Sequence, residues 1–335
     1  MKKLLVFAAA ISLCCLAHSQ EAESLGSHAE MTVIPRVDLN YAPGSFDLGQ
    51  TSLYTLVEGN FSDNLSFTVA ANLVGLSDLS DLDFAWPYTS LGKSNLNNAL
   101  QFFNVTYSLG NFDFTLGKDV MTCGGFEYDA WDWEVHPWFS SNLWNNLPAY
   151  QWGGKVAWNL LDGDHVFSLQ GSTSPFGEKP FASGLFAGSF QYQGTFGPFS
   201  VRTNATAFET AKTHFDWLFS VDGKLDLEAV VFTLDFYNIY DIAFDAEDLP
   251  VGLEAGRTYR FECGLPLGED WTVSAHGQYA VCKADHDLNF WKAGANVEFH
   301  PGEALHVNAF GMYDGLAAAP YFGIGARYEI SFNLF

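Results

Sequence analysis

Apolar and polar residues alternate one by one along most of this chain. In "VRTNATAF", Val201, Thr203, Ala205 and Ala207 fall on one side of an extended backbone, and Arg202, Asn204 and Thr206 on the other. "LSFTVAANL" repeats the pattern, with Leu65, Phe67, Val69, Ala71 and Leu73 set against Ser66, Thr68, Ala70 and Asn72. Successive side chains of a strand point to opposite faces, so a period of two is a strand signal. Such runs predict about sixteen strands, among them 65 to 75, 112 to 118, 150 to 161 and 321 to 334. Most have close to the roughly 9 to 11 residues with which a tilted strand crosses a bilayer.

The connections add a second regularity. Short turns at 62 to 64, 110 to 111, 162 to 164 and 301 to 303 alternate with long connections at 76 to 99, 119 to 149, 174 to 183 and 241 to 256. A barrel with tight turns at one end and loops at the other has this rhythm, and a soluble sandwich has no reason to keep it. The polar face carries Arg36, Lys155, Arg202, Lys224, Arg260, Lys292 and Arg327, with Asp38, Glu58, Asp113, Asp235, Glu262, Glu298 and Glu329. The other face carries Tyr150, Trp152, Trp158, Trp217, Phe219, Phe232, Phe236, Tyr259, Trp271, Tyr279, Trp291, Tyr328 and Phe332, and within the strands it is expected to hold no charge. The fold class expected is therefore all-β, a transmembrane antiparallel β-barrel with a polar interior.

Composition agrees. Of 335 residues, 16% are charged and 16% aromatic, and Gly is abundant, which suits extended, turn-rich structure. "MKKLLVFAAAISLCCLAHSQ" has a basic start, an apolar run from Leu4 to Leu16 and a small-x-small site at Ala17-His18-Ser19. It reads as a signal peptide over 1 to 19, with the barrel over 20 to 335. A lipoprotein reading through Cys14 or Cys15 lacks the small residue that should precede the cysteine. Removing the signal takes the formal charge from -24 to -26. It leaves Cys123, Cys263 and Cys282, an odd set that cannot all pair within the chain. So acidic a chain is a poor partner for nucleic acid.

The last strand narrows the class. In "YFGIGARYEISFNLF", Phe322, Ile324, Ala326, Tyr328, Ile330, Phe332 and Leu334 alternate with Gly323, Gly325, Arg327, Glu329, Ser331 and Asn333, and the chain ends on Phe335. In this it resembles the Gram-negative outer-membrane porins, whose final strand ends in a phenylalanine used by the barrel-assembly machinery. Phe335 departs from that pattern by lying one residue out of phase with Phe332 and Leu334. The resemblance implies an outer-membrane location among lipid and lipopolysaccharide, a homotrimer, and a third loop that folds into the barrel. Here that loop is the connection over 119 to 149, between strands five and six.

"GGFEYDAWDWEVHPWFSSNLWNN", residues 124 to 146, lies within that connection. As a constriction loop it would set Asp129, Asp132, Glu134 and His136 against basic wall residues, for which Arg36, Lys155, Arg202, Arg260, Lys292 and Arg327 are the candidates. Opposed charges across a narrow neck order water and penalise apolar solutes. Gly124-Gly125 offers a sharp turn inward. Asp132, Glu134 and His136 alternate as a metal trio could, but no second His or Cys cluster stands near, and no metal site is expected. Trp131, Trp133, Trp138 and Trp144 either stack on sugar rings or pack the loop. A loop folded outward as a surface lid is the alternative.

No G-x-S-x-G, no phosphate-binding glycine loop and no nucleophile constellation occurs, so no enzyme and no organic cofactor are expected. Acidic stretches such as "SDLSDLDF", "DAEDLP" and "ADHD" would draw cations to the mouth and could hold a divalent cation that bridges lipopolysaccharide. No Lys and Arg ladder of the kind a phosphate channel needs is visible. The expected function is passive diffusion of small hydrophilic solutes with a weak cation preference. The alternatives are a channel specific for a sugar or an anion, or a non-conducting surface barrel.

Overall fold

A computed structural model describes residues 27–48, 51–76, 99–131, 134, 139–141, 143–144, 147–177, 179–240, 256–282 and 289–335. The signal segment lies outside the described residues, as do Asp132, His136 and the acidic stretches 77–84, 245–250 and 284–287. Strand segments form one sheet of eighteen pieces, of which two are short continuations of a neighbour, giving a barrel of sixteen strands.

The first half holds β1 (His28–Ala42), β2 (Thr51–Ser62, led in by Ser45–Asp47), β3 (Leu65–Leu76), β4 (Leu100–Leu109), β5 (Phe112–Val120), β6 (Tyr150–Leu160), β7 (His165–Thr173) and β8 (Phe186–Phe196). The second holds β9 (Phe199–Ala211), β10 (His214–Asp226), β11 (Val231–Tyr240), β12 (Gly256–Pro266), β13 (Trp271–Cys282), β14 (Asn289–Phe299), β15 (Leu305–Asp314) and β16 (Ala319–Tyr328, continued by Ile330–Asn333). Each strand pairs antiparallel with the next, and β1 pairs with both β2 and β16, so no edge is left open. The β1–β16 ladder keeps one register on either side of a break, with Arg36 opposite Arg327 and Val33 opposite Ile330. The break stands at Pro35, which has no N–H to give.

Outward positions are the apolar ones. Leu116, Leu169, Ile324, Val221 and Leu234 are each more than half exposed, and Trp158, Trp217, Trp271 and Trp291 stand on the same side. A surface this apolar is untenable in water and is suited to lipid. Inward positions are polar, and Arg36, Asp38, Arg202, Asn204, Asp222, Asp235, Arg260 and Gln278 are buried there.

The outward face carries a charge after all. Lys118 stands opposite Trp152 and Phe103 and so shares their side of the wall. It is 1% exposed, and its Nζ donates to the Leu100 carbonyl at 2.6 Å. β5 runs to Val120, so Lys118 sits at the rim, where its long side chain lets the ammonium reach backbone. Glu209 and Arg257 share this parity at the ends of β9 and β12. Tyr150 also departs from the lipid-facing set: its ring packs on Phe102, which packs on Trp131, because β5 and β6 leave the wall there.

Candidate functional site

Residues 121 to 149 connect β5 to β6, and described side chains among them meet the inward faces of distant strands. Met121, Cys123, Tyr128, Leu143, Leu147 and Ala149 form one cluster with Ala187, Phe208, Leu218, Tyr237 and Ile239 of β8 to β11. Trp131 packs on Ile34 and Tyr54 of β1 and β2. Phe139 stacks on His276 of β13 at 4.3 Å between ring centres and meets Phe310 of β15 edge-on. The segment thus touches three sides of the circuit.

Cys123 is wholly buried in this cluster, and burial pushes its thiol up to about 12. Burial also raises Tyr128, with the Cys123 thiol and the Glu127 carboxylate adding to it. Cys123 and Cys263 are free thiols.

The register brings charges into one row. Across neighbouring strands, Gln193, Arg202, Asp222, Asp235, Arg260, Gln278, Lys292 and Asp314 stand opposite one another in turn. A short 3-10 turn, Phe126–Asp129, lies against this row. Arg202 donates to the Gly125 carbonyl at 2.8 Å and to Asp129 at 2.7 and 2.8 Å, with its guanidinium over the Phe126 ring. Arg260 holds Asp235 at 2.9 Å, Glu262 at 2.5 Å and Glu127 at 3.5 Å. Glu127 also accepts from Tyr237 Oη at 2.8 Å, from the Ser141 amide at 2.9 Å and from the Ser141 hydroxyl. Lys292 donates to the Ser140 carbonyl at 2.6 Å.

The sequence candidates divide as follows. Asp129 is drawn to Arg202. The Glu134 carboxylate accepts from the Trp131 amide at 2.9 Å, closing its own turn. Asp132 and His136 lie outside the described residues. Arg36 pairs with Asp38 and Lys155 with Asp119, partners on the wall itself or at its end. Arg327 lies 3.6 Å from Glu298 and from Glu329 and 3.2 Å from His306. The Phe335 carbonyl accepts from the Ala29 amide at 3.1 Å, tying the last residue to β1. Gly124 and Gly125 serve by their smallness: Gly125 has φ -82°, and a Cβ there would collide with Asp235 Oδ1 and come within 2.7 Å of Asp222 Oδ1. Glu127, Tyr237 and Asp222 were not among the sequence candidates. The one legible signal was the shared parity of Asp222 with Ser220 and Lys224.

Among the described residues, a larger and a smaller cavity adjoin the segment. The larger, about 460 Å³, is lined by Glu127, Asp129, Glu134, Glu262 and Glu298 against Lys224 and Arg260. The smaller, about 40 Å³, lies between Glu134 and Arg36, Asp38, His306 and Arg327. Among the described residues no three of His, Cys, Asp and Glu meet as a metal site requires.

No family model and no curated protein matches the chain. Solved structures do match in fold. OmpT of Vibrio cholerae, an outer membrane protein, in its trimer form, is 13% identical over 91% of this chain and 99% of its own, with a TM-score of 0.60. The outer membrane channel DcaP of Acinetobacter baumannii is 10% identical over 91% and 97%, with a TM-score of 0.59. A mutant of Rh. blastica porin is 13% identical over 91% and 100%, with a TM-score of 0.60. At such identities the likeness is one of fold: the chain is a closed sixteen-stranded antiparallel β-barrel of the porin type.

Proposed function

We propose that this chain forms a channel in the outer membrane of a Gram-negative bacterium, through which small hydrophilic solutes diffuse unchanged. The observation that carries the reading is the contrast between the two faces of one closed wall: aromatic and aliphatic residues outside, paired charges and amides inside. Only a barrel with lipid around it and water within has use for that arrangement.

In this reading the 121–149 segment crosses the lumen and narrows it. Its support is the set of contacts from Trp131, Glu127, Asp129 and Phe139 to inward residues of β1, β9, β12 and β13. The neck then runs beside Glu134, facing Arg36 and Arg327. The carboxylates outnumber the bases around the larger cavity, which supports a weak preference for cations. Homotrimeric assembly belongs to the same reading and is supported by the trimer form of the Vibrio OmpT neighbour. Lipopolysaccharide and the assembly machinery would be its other partners, the latter reading Phe335. No reaction is assigned to it.

Reversal potential under a salt gradient tests the neck. Asp129→Asn with Glu134→Gln should move it toward anions, and an unchanged value would place the segment outside the path. A second reading, a barrel closed at rest, is favoured by the segment's contacts on three sides of the wall. It predicts no conductance from correctly folded protein.

A further inference from the structure

The row of charges beneath the segment has one irregular feature. Asp222 and Asp235 stand directly opposite each other on β10 and β11, at 1% and 0% exposure, with Arg202 beyond one and Arg260 beyond the other. The arginines do not serve the two acids equally. Arg260 bonds Asp235 at 2.9 Å. Arg202 gives its guanidinium to Gln193, to the Gly125 carbonyl and to Asp129. Asp222 accepts from the Ser220 hydroxyl on Oδ2, at 2.7 Å, and takes a backbone hydrogen bond from Phe236, while among the described residues its Oδ1 has no hydrogen-bond partner.

That oxygen and Asp235 Oδ1 both lie close to where a Cβ on Gly125 would stand, so the Gly125 backbone closes the site from within the barrel. The Gly125 amide faces Tyr237 Oη at 3.3 Å, and the Phe126 amide gives its hydrogen to Asp235 Oδ1 at 3.3 Å. The other charged groups near the row are Glu127 of the segment, which acts on Asp235, Asp129, which bonds Arg202, Lys224 one step along β10, and Glu262 on β12, which bonds Arg260. Every cation in this shell has a carboxylate or carbonyl of its own or lies off the row. Two carboxylates side by side, sealed from water and with an arginine bonded to just one of them, are stable with a single proton between them.

We propose that Asp222 and Asp235 share one proton under Gly125, and that loss of this proton to water releases the 121–131 limb from the wall and widens the neck. This regulation rests on the channel reading above. Docking takes up a proton, so by linkage it weakens as pH rises. The second ionisation puts two like charges under a capping backbone that cannot separate them. The simplest relief is for Gly125 to lift and let water reach Asp222.

Cys123 reports the event, because it lies two residues from Gly125 and is wholly buried. In a Cys263→Ser, Cys282→Ser background of the full chain in detergent, its alkylation by a small maleimide would be followed from about pH 5 to about pH 9, a range that brackets what a buried carboxyl pair can reach. The same series in Asp222→Asn corrects for thiol chemistry, since the amide keeps the shape and removes the second charge. Relative to that variant, labelling of the parent should rise by up to about tenfold per pH unit between the pair's titration in the released limb and its titration in the docked one, and level off above the latter. Planar-bilayer conductance of the parent should rise over the same range and stay flat in Asp222→Asn. A parallel rise in both proteins would overturn the proposal, as would labelling that never departs from the variant's. If labelling switches but no current flows, the latch stands and the channel reading fails; current without a labelling switch gives the converse. Should Asp222→Asn not fold, Asp235→Asn supplies the same comparison, and a parent that labels in step with free thiol alone contradicts the latch.

Discussion

Glu127 is the residue on which the docking of the segment turns. Its side chain is 3% exposed, and it is held by Arg260, Tyr237 and Ser141 at once. Truncation to Ala would leave a buried guanidinium short of a partner and three donors without acceptors. The expected cost is about 3–5 kcal/mol, falling on docking because the barrel ladder does not pass through Glu127. Limited proteolysis in detergent checks this: Glu127→Ala should be cut between 121 and 149 with the barrel fragment intact. Tyr237→Phe removes one bond and should cost only about 1–2 kcal/mol. The sequence showed acids in this segment and bases on the wall, and the Asp129 to Arg202 pair joins one of each. It did not show which would meet. Partners more than a hundred residues apart, such as Glu127 and Tyr237, are set by barrel register and by how the segment lies, and a pattern of period two contains neither.

At the scale of elements, alternation identified the strands because an apolar outer face and a polar inner face impose it on every one. It failed where the wall ends. Lys118 and Tyr150 keep strand parity, but at the rim a long side chain can turn back and a ring can follow the departing chain. The segment itself was legible as a long connection with many aromatics. Its packing was not, because its apolar residues serve a cluster whose other half comes from β8 to β11. Phe208 is wholly buried in that half, on the face that otherwise carries Arg202, Asn204 and Thr206. Phe208→Ala should cost about 3–5 kcal/mol of packing, felt by the segment. The expected result is faster maleimide labelling of Cys123, with the heat-modifiable gel mobility of the barrel unchanged. Equal labelling would mean that the segment does not depend on this cluster.

As a whole molecule the barrel is a protein turned inside out, with an apolar outer surface and buried polar rows within. Val221 is exposed on the outward face near the middle of β10, between inward Ser220 and Asp222. Val221→Arg should lower stability in lipid vesicles by about 2–4 kcal/mol, read from the denaturant midpoint of unfolding, whereas Val221→Leu should leave it close to the parent. Closure through β1 and β16 makes that loss global, since no strand can peel away alone. The central claim is that water runs through this wall past the 121–149 segment. The most direct test is the single-channel conductance of the purified, folded protein in a planar bilayer. Discrete ohmic steps that scale with salt concentration are predicted; a folded protein that inserts and carries no current would contradict the account.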